Sequence, residues 1–137
     1  MRAAALPMPF ANADAAEYWR SAEKEELALQ KCKGCGAARF PARHLCPVCW
    51  SDQAEWSRAS GRGTIYAATV VRRAPSPEYK DMVPYVLALI DLEEGPRMIT
   101  NLVGDGALNW RIGDAVRVTF ERRVDGVMPQ FELVGNG

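Results

Sequence analysis

Cys32-Lys33-Gly34-Cys35, then ten residues, then Cys46-Pro47-Val48-Cys49: the reading of this stretch decides the fold. Two Cys-x-x-Cys pairs at this separation are a strong signal for one tetrahedral site. Each pair sits on a tight knuckle, with Gly34 and Gly36 in the first and Pro47 in the second. The intervening residues suffice for a hairpin that brings the knuckles together. Four thiolates suit zinc at about 2.3 Å per sulfur and fill its shell, leaving no position open for water. The expectation is one structural zinc on Cys32, Cys35, Cys46 and Cys49. Two disulfides, a thioredoxin-like redox pair and a four-cysteine iron centre compete for the same residues. Bridges belong to secreted domains, and a redox pair normally comes once and opens a helix. Spacing alone does not separate zinc from iron.

Outward from that site, composition bounds the rest. A chain of 137 residues is one domain, or a small metal module attached to a second compact one. Its hydrophobic content of 48% is enough for a real core. Lys+Arg 17 and Asp+Glu 17 cancel, so nothing global points to nucleic acid or an anionic membrane. Arg2 before an apolar run gives residues 1–10 the look of a weak secretory leader, but Pro7 and Pro9 interrupt a run already too short. No stretch approaches the roughly 20 apolar residues that span a bilayer, so no membrane partner is expected. With all four cysteines on one metal, the expected location is the reducing cytoplasm.

Residues 1–13 read as an arm whose Leu6, Met8 and Phe10 either cover the domain's own surface or dock a partner. A helix is expected from Asp14, because Asp14 and Glu17 have capping-box spacing and Ala15, Tyr18, Trp19 and Ala22 make one apolar stripe. Glu23 to Glu26 end it in a charged run. Leu27 and Leu29 alternate with Ala28 and Gln30, so the chain enters the first knuckle as a short strand. Residues 37–45 make the connecting hairpin of a zinc ribbon. His44, the single histidine, faces a ligand shell that is already full, and is read as solvent-facing or beside the ligands. Trp50 and Trp56 carry the ribbon onto the next domain, and Ser60-Gly61-Arg62-Gly63 marks the boundary. That glycine-rich turn precedes a strand rather than a helix, which weakens a phosphate-cradle reading.

From Thr64 onward the pattern is all β. Strands are expected over 65–73, 85–92, 97–103, 115–124 and 127–133, with a proline-rich loop over 74–84 and one helical turn near 108–111. In the fourth strand Val116, Val118, Phe120, Arg122 and Val124 share one face, and Arg117, Thr119, Glu121 and Arg123 the other. Asp125-Gly126 is the sequence preferred at the centre of a type I′ hairpin turn. The expected fold is mainly β: an N-terminal arm and helix over 1–26, a zinc ribbon over 27–59, and a five-stranded Greek-key OB-fold barrel over 60–137. An SH3-like barrel is the competitor.

This order of parts resembles a known family. Its marks are Tyr18-Trp19 before Leu27, Cys32-Lys-Gly-Cys35-Gly36, Phe40-Pro41-Ala-Arg43, Cys46-Pro47-Val-Cys49 and Trp56. They continue through Gly61-Arg-Gly63-Thr64-Ile-Tyr66, Ile112-Gly113-Asp114-Ala-Val116 and Pro129-Gln-Phe131, so the match runs from about residue 14 to residue 134. The chain is similar to small proteins in which a rubredoxin-like zinc ribbon is fused to an OB fold, and whose genes often accompany thiolases and other acyl-CoA enzymes. The resemblance implies a non-catalytic subunit of an acyl-CoA enzyme complex in lipid metabolism. Its partner would be a thiolase, aldolase, hydratase or acyltransferase in a hetero-oligomer. In some relatives the OB part adds to a shared acyl-CoA site; in others it chiefly bridges subunits. Only the four cysteines carry over residue by residue.

Two other function classes stand beside this one. An OB fold can bind single-stranded nucleic acid, but from residue 61 onward nine Lys/Arg face ten Asp/Glu, which lacks the usual basic footprint. Only clustering of Arg72, Arg73, Arg122 and Arg123 would supply one. A free-standing enzyme has candidate acids in Asp91, Glu93, Asp105 and Asp114, none paired with a nucleophile. No catalytic residue is therefore assigned. Arg72, Arg73 and Arg97 are the candidates for coenzyme A phosphates, since arginine bonds phosphate bidentately. Phe10, Tyr18, Trp19, Tyr79 and Met82 are the candidates for partner contact, being more aromatic and Met surface than a small barrel needs.

Overall fold

The computed structural model describes Met8 and residues 15–134. Asp14 and Phe10 therefore lie outside the described residues, and so does most of the arm. The helix α1 runs Ala16–Glu23, and its N-cap, Ala15, makes no side-chain cap bond. Glu17 does not serve a capping box: it accepts from the Arg20 guanidinium and, at 3.3 Å, from the Ser21 hydroxyl. These are i+3 and i+4 neighbours on one helix face. The apolar stripe turns inward as its spacing predicts, with Tyr18 and Ala22 buried.

Three strands form the ribbon sheet in the order β2-β1-β3: β1 (Ala28–Cys32), β2 (Ala38–Arg39) and β3 (Ala54–Arg58). The expected hairpin over 37–45 holds only the two-residue β2, paired Gln30↔Arg39 and Lys31↔Ala38. The third strand is a finding beyond the sequence reading. Trp56 lies on it, opposite Gln30, and the strand pairs with β1 over its whole length.

The barrel closes in the order β4-β5-β6-β8-β7. Its strands are β4 (Arg62–Val71), β5 (Tyr85–Leu92), β6 (Arg97–Val103), β7 (Ala115–Arg123) and β8 (Gly126–Leu133). Strands β6 and β8 pair in parallel and every other neighbour pair is antiparallel. Five strands closed this way are the Greek-key OB barrel, not its SH3-like competitor. Strand β4 starts and stops earlier than expected; at its start Arg62 pairs with β7, and Gly63 and Thr64 pair with both β5 and β7.

The hairpin between β7 and β8 corrects the sequence reading by one residue. Arg123 pairs with Gly126, so Val124 and Asp125 form the turn, and neither has a positive φ. It is not a type I′ turn centred on Asp125-Gly126. A Cβ at Gly126 would lie 3.2 Å from the flexible tip of Met8, its Cε, and 3.5 Å from a Glu23 carboxylate oxygen, close but accommodable. At the end of β7, Arg122 is exposed and Arg123 is buried. Arg123 turns inward onto Glu121, whose carboxylate it meets at 2.9 Å.

One buried cluster joins Tyr18, Leu27 and Leu29 to Ile65, Ile90 and Phe131 of the barrel interior. Helix α1 packs on β1 and on β8, so it lies where ribbon and barrel meet. The parallel seam is short, Leu102↔Phe131 and Val103↔Glu132. Where the backbone ladder stops, the Gln130 side chain continues it. Its Oε1 accepts from the Thr100 hydroxyl and the Asn101 N–H, both at 3.1 Å.

Candidate metal centre and docking surfaces

The four cysteine sulfurs lie within 4.8 Å of one another. Cys32 and Cys49 are 3.5 Å apart and Cys35 and Cys46 3.8 Å. A tetrahedral zinc with sulfurs at 2.3 Å would set them about 3.8 Å apart, so the donor set fits one zinc ion. None of the four is in a disulfide. Backbone N–H groups point at the sulfurs: Gly34 and Cys35 donate to Cys32, and Val48 to Cys46. Chiefly through the Cys35 N–H, the Cys32 thiol falls to about 6, well below its ordinary value of 9.0. The N–H of Cys49 and then of Val48 lower Cys46. At Cys49 the Ser51 N–H favours the thiolate, but the Cys32 sulfur and burial outweigh it and push the thiol up to about 11. A bound zinc would hold the knuckles together and offer no open position for chemistry. His44 is exposed at its edge.

The three candidate phosphate arginines do not form one group. Arg72 and Arg73 are exposed just beyond the end of β4, where Val71 pairs with Tyr85. Arg97 sits at the other end of the sheet, opposite Asp91, six residues and roughly 20 Å along β5. There it bonds the Asp91 carboxylate at 2.7 Å and lies 3.4 Å over the Tyr66 ring. The basic cluster needed for a nucleic-acid face is also not assembled. Arg122 meets Glu23 at 3.8 Å and Arg123 is buried against Glu121. Of the candidate acids, Asp91 serves Arg97, and Arg62 holds the Glu93 carboxyl below its ordinary range. Asp114 accepts from the Arg111 N–H at the turn before β7.

Tyr79 and Met82 line a cavity of about 290 Å³ at the end of the barrel from which Arg72 and Arg73 project. Tyr79 lies in a short 3-10 turn, Pro77–Tyr79, with its ring 5.6 Å from that of Tyr85. Beside apolar Val86 and Leu102, its lining includes polar side chains: Arg123, Glu121, Gln130 and Asn101. Sequence reasoning missed these, because charged and amide side chains in an alternating strand read as outward.

Tyr18 is only 6% exposed, with its ring 4.8 Å from Trp19 and 5.3 Å from Phe40; burial raises its phenol pKa. It supports the surface rather than forming it. Trp19 and Phe40 are half-buried and border a shallow hollow that continues over Met128 and Pro129 to Ile99 and Leu87. From there the outer faces of β4 and β5 extend it through Leu89 and Ala67. Ile99 is 57% exposed and Leu87 37%. The result is one apolar strip from helix to barrel wall, of a kind that marks interaction sites. Among the described residues no helix is long and apolar enough to cross a membrane.

Comparison with known proteins shows the same division. Residues 19–55 match the family described as ChsH2, rubredoxin-like zinc ribbon domain, and residues 56–121 match ChsH2, C-terminal OB-fold domain. A "Probable enoyl-CoA hydratase alpha subunit" of Thermomonospora curvata is 38% identical over 98 residues, 72% of this chain. The matched part is 30% of that relative's length, so this chain corresponds to a fraction of it. A "DUF35 domain-containing scaffold protein" of Methanothermobacter thermautotrophicus is 36% identical over 116 residues, 80% of this chain and 86% of the relative. The solved structure "Ltp2-ChsH2(DUF35) aldolase" contains a chain with TM-score 0.81 and 33% identity, covering 92% of this chain and 98% of that one. With zinc ribbon, OB barrel and near full-length relatives in agreement, the chain belongs to the DUF35 family of zinc-ribbon and OB-fold proteins.

Proposed function

We propose that this chain is a non-catalytic accessory subunit that binds a thiolase-like or related acyl-CoA enzyme, whether thiolase, aldolase, hydratase or acyltransferase. The observation that carries this reading is the apolar strip from Trp19 and Phe40 to Ile99 and Leu87. Its Ile99 and Leu87 have no cover among the described residues. A metal site with all four positions filled by cysteine, and Asp91 and Glu93 already engaged by arginines, fit a supporting role. The names of the relatives fit it too: hydratase subunit, scaffold protein, aldolase component.

A second element of the proposal is a contribution to acyl-CoA binding at the barrel end. Arg72 and Arg73 beside the Tyr79–Met82 cavity set phosphate donors next to an apolar opening. Arg97, at the far end and engaged by Asp91, would act there only as a separate contact.

Co-expression with the neighbouring acyl-CoA enzyme, followed by size-exclusion chromatography and an activity assay, tests the main reading. Ile99→Asp or Leu87→Asp should abolish co-elution while zinc content stays unchanged. Tyr79→Asp with Met82→Asp should lower acyl-CoA binding by the complex. In isothermal titration, Arg72→Ala with Arg73→Ala should weaken coenzyme A binding, whereas Arg97→Ala should have the smaller effect. A partner that is fully active alone and never co-elutes with this chain overturns the reading.

A further inference from the structure

Arg39, in the two-residue strand β2, is 7% exposed. Its Nε donates to the Gln30 Oε1 at 2.6 Å and its Nη2 to the Arg43 carbonyl at 2.9 Å. Both acceptors are neutral. The remaining nitrogen, Nη1, is buried without any hydrogen-bond partner, the one such side-chain atom among the described residues. Arg39 also takes part in none of the ion pairs among the described residues. An arginine stays charged at any physiological pH, and a buried charge without a counter-charge is strongly unfavourable. The fold therefore keeps a cation in a place where nothing described neutralises it.

Arg39 lies in the wall of a cavity of about 160 Å³ that it shares with four rings, Tyr18, Trp19, Phe40 and Trp56, with the Gln30 amide and with small apolar residues. Three of these rings, Tyr18, Trp19 and Phe40, also line the hollow at the helix end of the apolar strip, so the two lie side by side. A group entering it meets one guanidinium, one amide (Gln30) and otherwise apolar, mostly aromatic, carbon. That combination suits a planar carboxylate on an apolar stem, since a guanidinium matches carboxylate geometry. A phosphate would need several further donors, which the aromatic walls do not offer.

We propose that this cavity is a carboxylate-binding socket, and that its occupant is an aspartate or glutamate side chain of the enzyme that docks on the strip. The occupant's identity rests on the accessory-subunit reading; the socket itself does not. The carboxylate supplies the missing counter-charge, and its apolar stem packs among the rings. Docking is thereby specific for a surface with an acid set among apolar residues, because an apolar surface without one leaves Arg39 uncompensated.

The test uses the zinc-loaded full chain and three probes: 3-phenylpropionate, 3-phenylpropionamide and inorganic phosphate. The indole N–H signals of Trp19 and Trp56 report occupancy by nuclear magnetic resonance. The acid should shift both signals saturably, and the isosteric amide should bind about tenfold more weakly or worse. Phosphate should leave both signals in place. Arg39→Met, which keeps the stem and removes the charge, should abolish the preference for acid over amide. It should also weaken co-elution with the partner enzyme. Equal binding of acid and amide to the unmodified chain, or saturable binding of phosphate, overturns the proposal without any need for a variant to fold. So does a tenfold tightening of the acid in Asp14→Asn, which would assign the socket to the chain's own carboxylate. A partner that never co-elutes, with the acid still preferred, would instead remove only the occupant's identity.

Discussion

Gly36 and Trp50 occupy the same place in the two metal knuckles. Each donates its N–H to the carbonyl of the cysteine four residues earlier, Cys32 or Cys46, at 2.9 Å. Each takes a positive φ, +79° at Gly36 and +68° at Trp50. The second knuckle thus places a large aromatic residue where the first has glycine.

Left-handed backbone costs an L-residue about 1–2 kcal/mol, and glycine gives back about 0.5–1 kcal/mol through its freer unfolded chain. Trp50 is 75% exposed and has little packing to lose. Trp50→Gly should therefore stabilise the zinc-loaded chain by up to about 1 kcal/mol, read as a higher denaturant midpoint. Gly36→Ala should move it the other way, although the new Cβ would have open space around it. A lower midpoint for Trp50→Gly would show that the exposed ring is held by contacts after all.

Metal retention should depend on pH with a definite sign. Folding lowers the Cys32 thiol from 9.0 to about 6, chiefly through the Cys35 N–H. A thiol lowered in this way favours the fold fully above its ordinary value, and the advantage is lost as pH falls through about 6. Zinc needs the thiolates, so protons and metal compete for them. Zinc should be retained at pH 8 and released progressively below about pH 6, as followed with a colorimetric chelator. Cys35→Ser should lose zinc at neutral pH and unfold the ribbon.

Gly63 is required by the barrel rather than by any ligand. A Cβ at this position would lie 2.6 Å from the Asp91 carbonyl oxygen and 2.7 Å from the Ile90 Cγ2. The first of these atoms is backbone in the paired strand β5, so it can move only by parting the ladder. Gly63→Ala should cost about 1–3 kcal/mol, the usual range for overpacking. Thermal unfolding of the zinc-loaded protein would read this; an unchanged Tm would return the Gly61-Arg62-Gly63 turn to consideration as a ligand cradle.

Gln130 is 2% exposed and supplies acceptors where the parallel seam runs out. Gln130→Leu keeps the volume but leaves the Asn101 N–H and the Thr100 hydroxyl without that acceptor. Each unsatisfied buried group costs about 1–3 kcal/mol. The variant should unfold at lower denaturant, with faster hydrogen exchange at Asn101 as the local mark. Exchange unchanged at that amide would mean that the seam does not depend on the side chain.

How much of the fold and site was legible in the sequence depended on whether one physical signal dominated locally. The knuckles were legible because cysteine spacing has few other uses. Strands β5 and β6 match their expected limits because Pro84 and the Glu93-Glu94-Gly95-Pro96 turn leave no freedom at their ends. Strand β3 was not legible: Ala54 to Arg58 pairs only on one side and buries little, so no apolar alternation announces it. The burial of Arg39, Arg123 and Gln130 was not legible, for a common reason. Polarity argues for an outward side chain, while position in the pleat decides, and each found its acceptors inside. At Gly126 the residue type suggested the turn centre, but the residue pairs with Arg123 at the start of β8.

The short seam between β6 and β8 has a consequence for how the chain is made. The ribosome delivers residues in order, and the barrel cannot close until Phe131 arrives to meet Leu102. The fourth metal ligand, Cys49, leaves 84 residues before Leu133. At about 5–20 residues per second, that interval is roughly 4–17 s. The ribbon can take up its metal during that time, while Leu27, Leu29 and Tyr18 still wait for the barrel residues that will cover them. Synthesis order thus gives the metal module time to form before the barrel strands that pack against it are complete.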